Sequence, residues 1–449
     1  MTRDLDAILL GDGPVASVDD YVGAGGGEGL AAALATSPDD VIEEIRLSGL
    51  RGRGGAGFPT GIKWRSVRDD ASLTKFVVCN AAEGEPGTFK DRWLIRTNPY
   101  QVLEGLAISA HAVGARKAFI GIKSGFDLEI ARLGRAIPEM ADRDLLGRTP
   151  LEVVGGPDEY LFGEEKALLE VIEGNPPLPR IIPPFMEGLY REPGSPNPTV
   201  VNNVETLANV PHIVRHGHEW FRSLGTEGSP GTMIFTLSGD VEHPGVYELP
   251  LGYTLRDLVV TVGGGPPAGG ELKVILPGAS NTVILPEQLD TPLDFDGMNA
   301  VGTGLGSGGF VVYDDSACIV RIAAAFSRFL SVESCAQCPA CKHGTQQITE
   351  LLEKIDRGEG SELDVETILA RCMTVTDAQR CALPTGETLL VQSAIQTFGR
   401  EFADHLGRGC PRPRDIQLPK MRDFDDTTET FAYDERYRLK QPDWTYADG

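Results

Sequence analysis

The chain lacks any long hydrophobic run, which argues against a membrane-spanning helix. No stretch of its 449 residues approaches the about 20 apolar residues that a helix needs to cross a bilayer. A secretory signal is also missing, because acidic residues stand near the amino terminus where such a signal needs a basic start and an apolar run. We expect a cytoplasmic protein with no direct membrane insertion, peripheral to a membrane complex only through partners.

Basic residues are few compared with acidic ones. Lys and Arg together number 41 and Asp and Glu number 65, so the formal net charge is −24. Binding to nucleic acid requires a basic surface, and so does attraction to anionic lipids. Both classes of partner are therefore excluded. The length is typical of about three domains, and the sequence contains no internal repeat.

Cysteine is uncommon, with eight residues in the whole chain, and in a reducing compartment this argues against a disulfide framework. Cys335, Cys338 and Cys341 nevertheless follow one another at a spacing of three. Three thiolates in one tight loop can ligate three irons of a [4Fe–4S] cluster. Cys381 is the favoured fourth ligand because it lies in a predicted loop, whereas Cys372 ends a predicted helix.

A structural zinc site is the alternative for this cysteine group. Zinc sites usually combine two pairs of cysteines, and a triplet fits that pattern poorly. The remaining thiols, Cys79, Cys318 and Cys410, are interpreted as structural or exposed.

Residue patterning predicts three structured regions. Between about residues 50 and 220, strand-like segments at 75–79, 118–122 and 151–154 alternate with helix-like segments at 102–115 and 128–140, which is typical of a mostly parallel sheet covered by helices. Residues 233–312 predict a small α+β domain. Four amphipathic stretches at 319–330, 344–355, 364–371 and 391–405 predict a helical bundle.

A glycine-rich loop contains the most suggestive binding motif. Gly52, Gly54 and Gly57 match G-x-G-x-x-G, but the loop follows a helix rather than a strand, so the standard dinucleotide fingerprint does not apply. Glycines still allow backbone amides to approach a phosphate or a flat ring, and Arg53 and Lys63 could supply charge to a phosphate. The alternative is a flexible linker.

Three further segments are rich in polar residues. Residues 80–87 directly follow a predicted strand, where ligands of α/β proteins bind. Residues 160–165 combine Tyr160 with Gly163, Glu164 and Glu165. Residues 202–206 begin with two asparagines, whose donors and acceptors suit the edge of a flavin. For the last two segments the alternative is a capped helix start.

Taken together, these segments resemble the NADH-binding flavoprotein (51 kDa-type) subunit of respiratory complex I and the related diaphorase subunits of NAD-linked formate dehydrogenases and hydrogenases. The resemblance covers about residues 28–410 and rests on residues 49–61, 202–206 and 333–341. It implies an α/β fold class with a Rossmann-like FMN domain, a small β-grasp α+β domain and a C-terminal four-helix bundle with an iron–sulfur cluster. The expected boundaries are 1–35 for an N-terminal extension, 36–228, 229–314 and 315–410 for these three domains, and 411–449 for an extended tail.

The resemblance also implies a set of binding residues. FMN would contact Gly52, Arg53, Gly54, Gly55, Lys63, Asn80, Glu83, Tyr160, Gly163, Glu164, Asn202, Asn203 and Thr206. The dinucleotide would contact Phe58, Glu85, Glu165 and Phe185, and the [4Fe–4S] cluster would be bound by Cys335, Cys338, Cys341 and Cys381. No catalytic proton donor is implied, because hydride transfer takes place at the flavin.

The implied function is that of an electron-input subunit. It would oxidise NADH, or reduce NAD⁺, at FMN and pass single electrons through the cluster to iron–sulfur partner subunits, because a flavin exchanges both paired and single electrons. Two alternatives remain. The donor or acceptor could be a ferredoxin, a deazaflavin or a partner protein instead of NADH, or the chain could be a non-catalytic scaffold that carries a cluster.

The sequence departs from the family pattern mainly where a dinucleotide would lie. The residues that differ from the usual ones are Ser66, Ala82, Gly84, Lys166 and Ile182. Residues 411–449 extend beyond the usual end of the family, and we expect them to wrap a partner subunit, with disorder as the alternative.

Overall fold

The computed structural model describes residues 7–11, 13–412 and 414–447. Its amino-terminal region is built on a four-stranded sheet of order β3-β2-β1-β4. The strands are β1 (Phe76–Ala81), β2 (Lys117–Lys123), β3 (Leu151–Gly156) and β4 (Thr199–Asn203). All of its pairings are parallel. This confirms the predicted mixed α/β architecture with a parallel sheet.

Helices cover both faces of this sheet, so β1 and β2 are almost entirely buried, as parallel strands usually are. The helices are α1 (Val18–Gly23), α2 (Glu28–Ala35), α3 (Pro38–Ser48), α4 (Thr60–Asp69), α5 (Lys90–Thr97), α6 (Pro99–Val113), α7 (Asp127–Ala141), α8 (Glu165–Ile172), α9 (Val204–His216) and α10 (His218–Arg222). Helix α3 has a typical start, with the Ser37 side chain accepting from the N–H of Asp40 and Pro38 in the first turn.

A second sheet follows, with strand order β6-β5-β8-β7. Its strands are β5 (Thr232–Gly239), β6 (Gly245–Pro250), β7 (Leu272–Pro277) and β8 (Gly309–Asp314), and α11 (Phe295–Ala300) packs beside them. Strands β5 and β8 are parallel, whereas β5–β6 and β7–β8 are antiparallel. The sheet encloses an apolar core of its own that includes Phe235 and Phe310.

The third region is entirely helical. It contains α12 (Ile319–Glu333), α13 (Pro339–Asp356), α14 (Glu362–Cys372), α15 (Leu383–Thr397) and α16 (Gly399–His405). The predicted single helix at 391–405 is therefore two helices. They are separated at Phe398, whose φ of −113° and ψ of 30° lie outside the helical range.

The carboxyl-terminal segment is not the extended tail that the sequence predicts. Over its described residues it folds back on its own chain and forms a hairpin of β9 (Met421–Asp425) and β10 (Thr430–Tyr433). Phe424 stacks on Phe431 at a ring separation of 4.4 Å and also packs against Trp93 of α5. Phe424 and Phe431 of this segment both also pack against Phe89, which precedes α5.

No helix within residues 7–11, 13–412 and 414–447 combines the length and apolar character that crossing a membrane requires.

Candidate functional site

The candidate site lies at the carboxyl edge of the parallel sheet, where β1 and β4 end side by side. Asn80 of β1 is in register with Asn203 of β4. The Asn80 amide donates to the carbonyl of Gly163 at 2.7 Å and its oxygen accepts from the N–H of Ala82 at 3.2 Å. The fold thus brings together three of the polar segments that the sequence indicated, from residues far apart in the chain.

The glycine-rich loop lies against the start of α9. The N–H of Arg53 donates to the Thr206 hydroxyl at 2.8 Å, and a Cβ on Gly54 would lie 3.1 Å from the Cβ of Asn203. Gly55 has a φ of +116°, a conformation that only glycine adopts easily. The N–H groups of Gly54 and Gly55 have no hydrogen-bond partner among the described residues.

The Arg53 side chain does not face this loop's open side, contrary to its predicted role as a source of charge for a phosphate. It is 1% exposed and donates to the carbonyls of Pro230 and Thr232 at 3.2 and 2.9 Å. Burial lowers its pKa to about 10. Arg53 therefore fastens the loop to the start of β5, and a spacing pattern in the sequence could not reveal this distant partner.

Lys63 and Asn202 retain donors for a ligand. The Lys63 ammonium bonds Glu165 at 3.2 Å and the carbonyl of Val201 at 3.1 Å, which leaves one of its three N–H groups without a partner among the described residues. The Asn202 oxygen accepts from the Trp64 indole at 2.7 Å. Its amide nitrogen has no partner in the described part of the chain.

A buried charged network stands behind these residues, and no sequence motif indicated it. Lys90 is completely buried and its ammonium lies 2.7 Å from Asp91 and 2.9 Å from Glu205. Asn203 accepts from Lys90 at 3.2 Å and donates to Asp91 at 2.6 Å. These bonds occupy the Asn203 amide, so Asn203 fixes the position of the end of β4.

Two of the predicted glutamates cap helices at the site. Glu83 accepts from the N–H groups of Asp91 and Arg92 at the start of α5, and Glu164 accepts from those of Lys166 and Ala167 at the start of α8. Burial disfavours the charged form and raises the pKa of each carboxyl to about 7.

Glu85 and Tyr160 connect the sheet edge with the helical region. The Tyr160 hydroxyl donates to Glu85, which also accepts from the N–H of Ala279 at 2.7 Å. Burial raises the pKa of Glu85. The N–H of Tyr160 donates to Glu333 at 3.0 Å, at the end of α12. This chain of contacts leads towards the cysteine loop that follows α12.

A cavity of about 950 Å³ lies beside this edge, between residues 83–85 and the carboxyl-terminal segment. Glu83, Gly84 and Glu85 line it, together with Lys123 at the end of β2. Phe58, Glu165 and Phe185 are not among its lining residues. The structure therefore does not gather all the predicted dinucleotide residues around this one cavity.

Phe58 and Phe185 are large apolar side chains that remain open to solvent. They are 50% and 41% exposed, which is unusual for phenylalanine. Glu165 lies between Phe58 and Phe185 in the sequence, and its carboxylate pairs with the Lys63 ammonium. Exposed rings of this kind are available to stack on a planar ligand.

The four predicted cluster ligands are all buried. Cys335 and Cys338 lie between α12 and α13, Cys341 lies in the first turn of α13, and Cys381 precedes α15. All four are free thiols, and those of Cys335 and Cys381 are close enough to hydrogen-bond. Cys372 is also buried and is the last residue of α14.

Comparison with known protein families gives matches to most of the chain. Residues 45–212 match the Nuo51 FMN-binding domain, residues 234–282 the SLBB domain, and residues 321–405 the NADH-ubiquinone oxidoreductase-F iron-sulfur binding region.

Individual relatives match over most of this chain. An NADH-quinone oxidoreductase F subunit of Rhizobium meliloti (strain 1021), the second of that name, is 42% identical over 404 residues, which is 87% of this chain and 95% of that protein. The HndC subunit of the NADP-reducing hydrogenase of Solidesulfovibrio fructosivorans is 36% identical over 409 residues, 88% of this chain and 82% of that one. The crystal structure of NAD⁺-reducing [NiFe]-hydrogenase in the H₂-reduced state superposes with a TM-score of 0.79 at 36% identity, covering 88% of this chain and 67% of the other.

Proposed function

The chain belongs to the family of NADH-quinone oxidoreductase F subunits and their hydrogenase counterparts, and on this premise we propose that it is the electron-input subunit of a multisubunit oxidoreductase. It is an NADH dehydrogenase-type subunit that oxidises NADH, or reduces NAD⁺, at FMN and delivers single electrons through a [4Fe–4S] cluster to a partner subunit. The observation that carries this function is 42% identity over 87% of the chain with an NADH-quinone oxidoreductase F subunit.

The residues at the sheet edge suit FMN. The unpartnered N–H groups of Gly54 and Gly55 and the free donor of Lys63 suit an anionic phosphate. The free amide nitrogen of Asn202 suits a carbonyl oxygen of the flavin ring. When bound, FMN supplies a centre that takes up two electrons as hydride and releases them one at a time.

The other predicted FMN residues act mainly by positioning this edge. Thr206 holds the glycine-rich loop through Arg53, and Asn80 holds residue 163 against β1. Asn203 is fixed by the buried charges of α5. Glu83 and Glu164 fix the starts of α5 and α8. We assign no catalytic acid or base, because the transferred hydride needs orientation and exclusion of water rather than proton transfer.

We place the dinucleotide where Phe58 and Phe185 are exposed, close in sequence to the Lys63–Glu165 pair.

Three of the residues that differ from the family pattern, Ala82, Gly84 and Lys166, make contacts within the protein. Ala82 is buried in an apolar cluster, and a Cβ on Gly84 would lie 2.5 Å from the Lys123 ammonium. Lys166 donates to the carbonyl of Arg380 at 2.6 Å. These three residues are therefore accommodated by contacts within the protein.

The cysteine loop suits a [4Fe–4S] cluster because it offers four thiols as ligands in one buried place. Tyr160 and Glu333 link it to the flavin edge. We further propose a Rossmann-like FMN domain, a β-grasp-type domain around β5–β8 and a helical domain that binds the cluster, with the boundaries that the sequence predicts. A single cluster requires a protein acceptor for its electrons, which accords with relatives that are subunits of complexes.

The flavin assignment is tested by cofactor content. Asn202→Ala and Lys63→Ala should each lower the flavin bound per purified chain by at least about tenfold, because each removes a free donor at the proposed site. Ser66→Ala is the matched control, since Ser66 is exposed and bonds only the carbonyl of Lys63. Unchanged flavin in both donor variants would contradict the assignment.

The substrate assignment is tested by difference spectra recorded with NADH, with NADPH and with neither. Bleaching of the flavin by NADH is the expected result. A flavin that a reduced ferredoxin bleaches and NADH does not would favour the alternative donor.

A further inference from the structure

A second group of metal-binding side chains lies at the other end of the helical region. Its members are Cys318, Asp356, His405 and Cys410, and their ligand atoms all lie within 4.8 Å of one another. None of them belongs to the cysteine loop described above. The sequence pattern suggested only that Cys318 and Cys410 are structural or exposed, because the four residues are spread over 93 positions of the chain.

Three of the four side chains lie at the ends of helices, and the fourth lies in a loop. Cys318 directly precedes α12, Asp356 is the last residue of α13, and His405 is the last residue of α16. Cys410 follows in the next loop, and its N–H donates to the carbonyl of Asp356 at 3.1 Å. A Cβ on Gly358 would lie 2.2 Å from the backbone nitrogen of Gly409. The loops after α13 and α16 are thus in direct contact, which fixes Cys410 beside Asp356.

The histidine is oriented as a metal ligand. His405 is fully buried, and its Nδ1 lies 2.7 Å from the carbonyl oxygen of Glu401. Because a carbonyl only accepts hydrogen bonds, Nδ1 carries the proton and Nε2 presents its lone pair. The Nε2 atom lies 3.2 Å from Sγ of Cys318. Metal-bound histidines typically donate their other N–H to a carbonyl or carboxylate in this way.

The donor chemistry selects the metal. Two thiols, one imidazole and one carboxylate form a four-ligand set that suits tetrahedral Zn²⁺, whereas an all-oxygen set would suit Mg²⁺ or Ca²⁺. Two thiolates and a carboxylate around Zn²⁺ leave one net negative charge. Arg321 offsets it, since its Nε donates to Asp356 at 2.9 Å.

We propose that Cys318, Asp356, His405 and Cys410 bind a structural Zn²⁺ ion. Helix α12 begins at this group and ends next to Cys335, and α13 begins directly after Cys338 and ends at this group. At about 1.5 Å per residue, the ion lies one helix length from the iron–sulfur ligands. It clamps the far ends of the two helices that carry the cluster loop, and it fixes the point where the carboxyl-terminal segment leaves the bundle.

Contacts of Glu401 connect the proposed zinc site with α12 and with the second sheet. The carboxylate of Glu401, four residues before His405, accepts from the N–H of Ile319 at 3.0 Å. The same carboxylate pairs with Lys273 of β7 at 2.7 Å. Metal binding at His405 therefore also holds α16 against the second sheet.

The test is metal analysis of the full-length chain purified anaerobically, combined with X-ray absorption at the zinc edge. We expect about one zinc per chain besides the cluster iron, with about two sulfur neighbours at about 2.3 Å and two lighter ones. Cys410→Ser should lose at least about nine-tenths of the zinc and keep its iron. Cys372→Ser, a buried thiol of the same bundle outside the group, should keep both metals.

Three results would overturn the proposal. Wild-type chain with iron but no zinc would show that the thiols only hydrogen-bond to His405 and Arg412. Iron in place of zinc at the site would refute the choice of metal. Zinc bound with oxygen and nitrogen neighbours alone would show that it lies elsewhere. The absorption measurement needs no variant, so the proposal is decided even if Cys410→Ser fails to fold.

Discussion

At the scale of single residues, burial decides which predicted side chains are free to bind a ligand. Arg53 and Asn203 carry suitable polar groups, but both are held by protein partners. Lys63 and Asn202 keep free donors. A sequence identifies the type of side chain, whereas its availability depends on contacts with residues about 100 to 180 positions away, which local patterns do not encode.

The cluster assignment makes a prediction about two cysteines. Cys381→Ser should remove most of the bound iron, because serine replaces one of four thiolate ligands. Cys372→Ser should leave the iron content unchanged. Iron analysis and the absorbance of the cluster give the measurement, and the reverse pattern would show that Cys372 is the fourth ligand.

Glu164 makes the stability of the fold depend on pH. Its pKa rises from 4.5 in an exposed chain to about 7 in the fold because of burial, so the folded state binds the proton more tightly. The contribution to stability is present below pH 4.5 and is lost as the pH rises to about 7. Glu164→Gln removes this loss of stability. The melting temperature of the variant minus that of wild type should therefore become more positive as the pH rises from about 5 to 7.5.

The difference between wild type and Glu164→Gln isolates the titration of Glu164, since any weaker helix capping by glutamine is the same at every pH. A difference in melting temperature that stays constant across the range would contradict the prediction.

At the scale of elements, strands β1, β2 and β3 and helices α6 and α7 follow from local patterning. The strand β4 does not, because its residues Thr199–Asn203 end in asparagines that also suit a helix cap. The division of 391–405 into two helices and the folding of the carboxyl-terminal segment were missed for a related reason. Both depend on packing partners that are distant in sequence.

The contact between Lys440 and Glu333 anchors the carboxyl-terminal segment. The two charges lie 2.9 Å apart and are 1% and 0% exposed. Lys440→Met leaves Glu333 buried without its partner and should destabilise the fold by about 3–5 kcal/mol. Denaturant unfolding measures this, with Arg436→Met as a control because Arg436 is 82% exposed.

A further variant separates charge from packing. Glu333→Gln combined with Lys440→Met should be more stable than Lys440→Met alone, because no unpaired charge remains buried. Equal destabilisation by the single and double variants would show that Lys440 acts through packing alone.

At the scale of the whole molecule, the two proposed cofactor sites lie in different regions, one at the edge of the parallel sheet and one in the helical region. Hydrogen bonds of Tyr160 connect the two regions. Tyr160 bonds Glu85 at the sheet edge and Glu333 at the end of α12. The family resemblance predicted the two sites and the transfer of electrons between them. It did not predict this junction, which joins the first region to the helical region.

The central claim is that electrons from NADH reach the cluster only through the flavin. The most direct measurement is an anaerobic titration of the chain with NADH, in which flavin absorbance and the paramagnetic signal of the reduced cluster are followed together. Wild type should show flavin bleaching and cluster reduction, whereas flavin-depleted Asn202→Ala should show neither with NADH and yet reduce its cluster with dithionite. Cluster reduction by NADH that persists at the wild-type rate in the flavin-depleted variant, or a wild-type chain inert to NADH, would contradict the account.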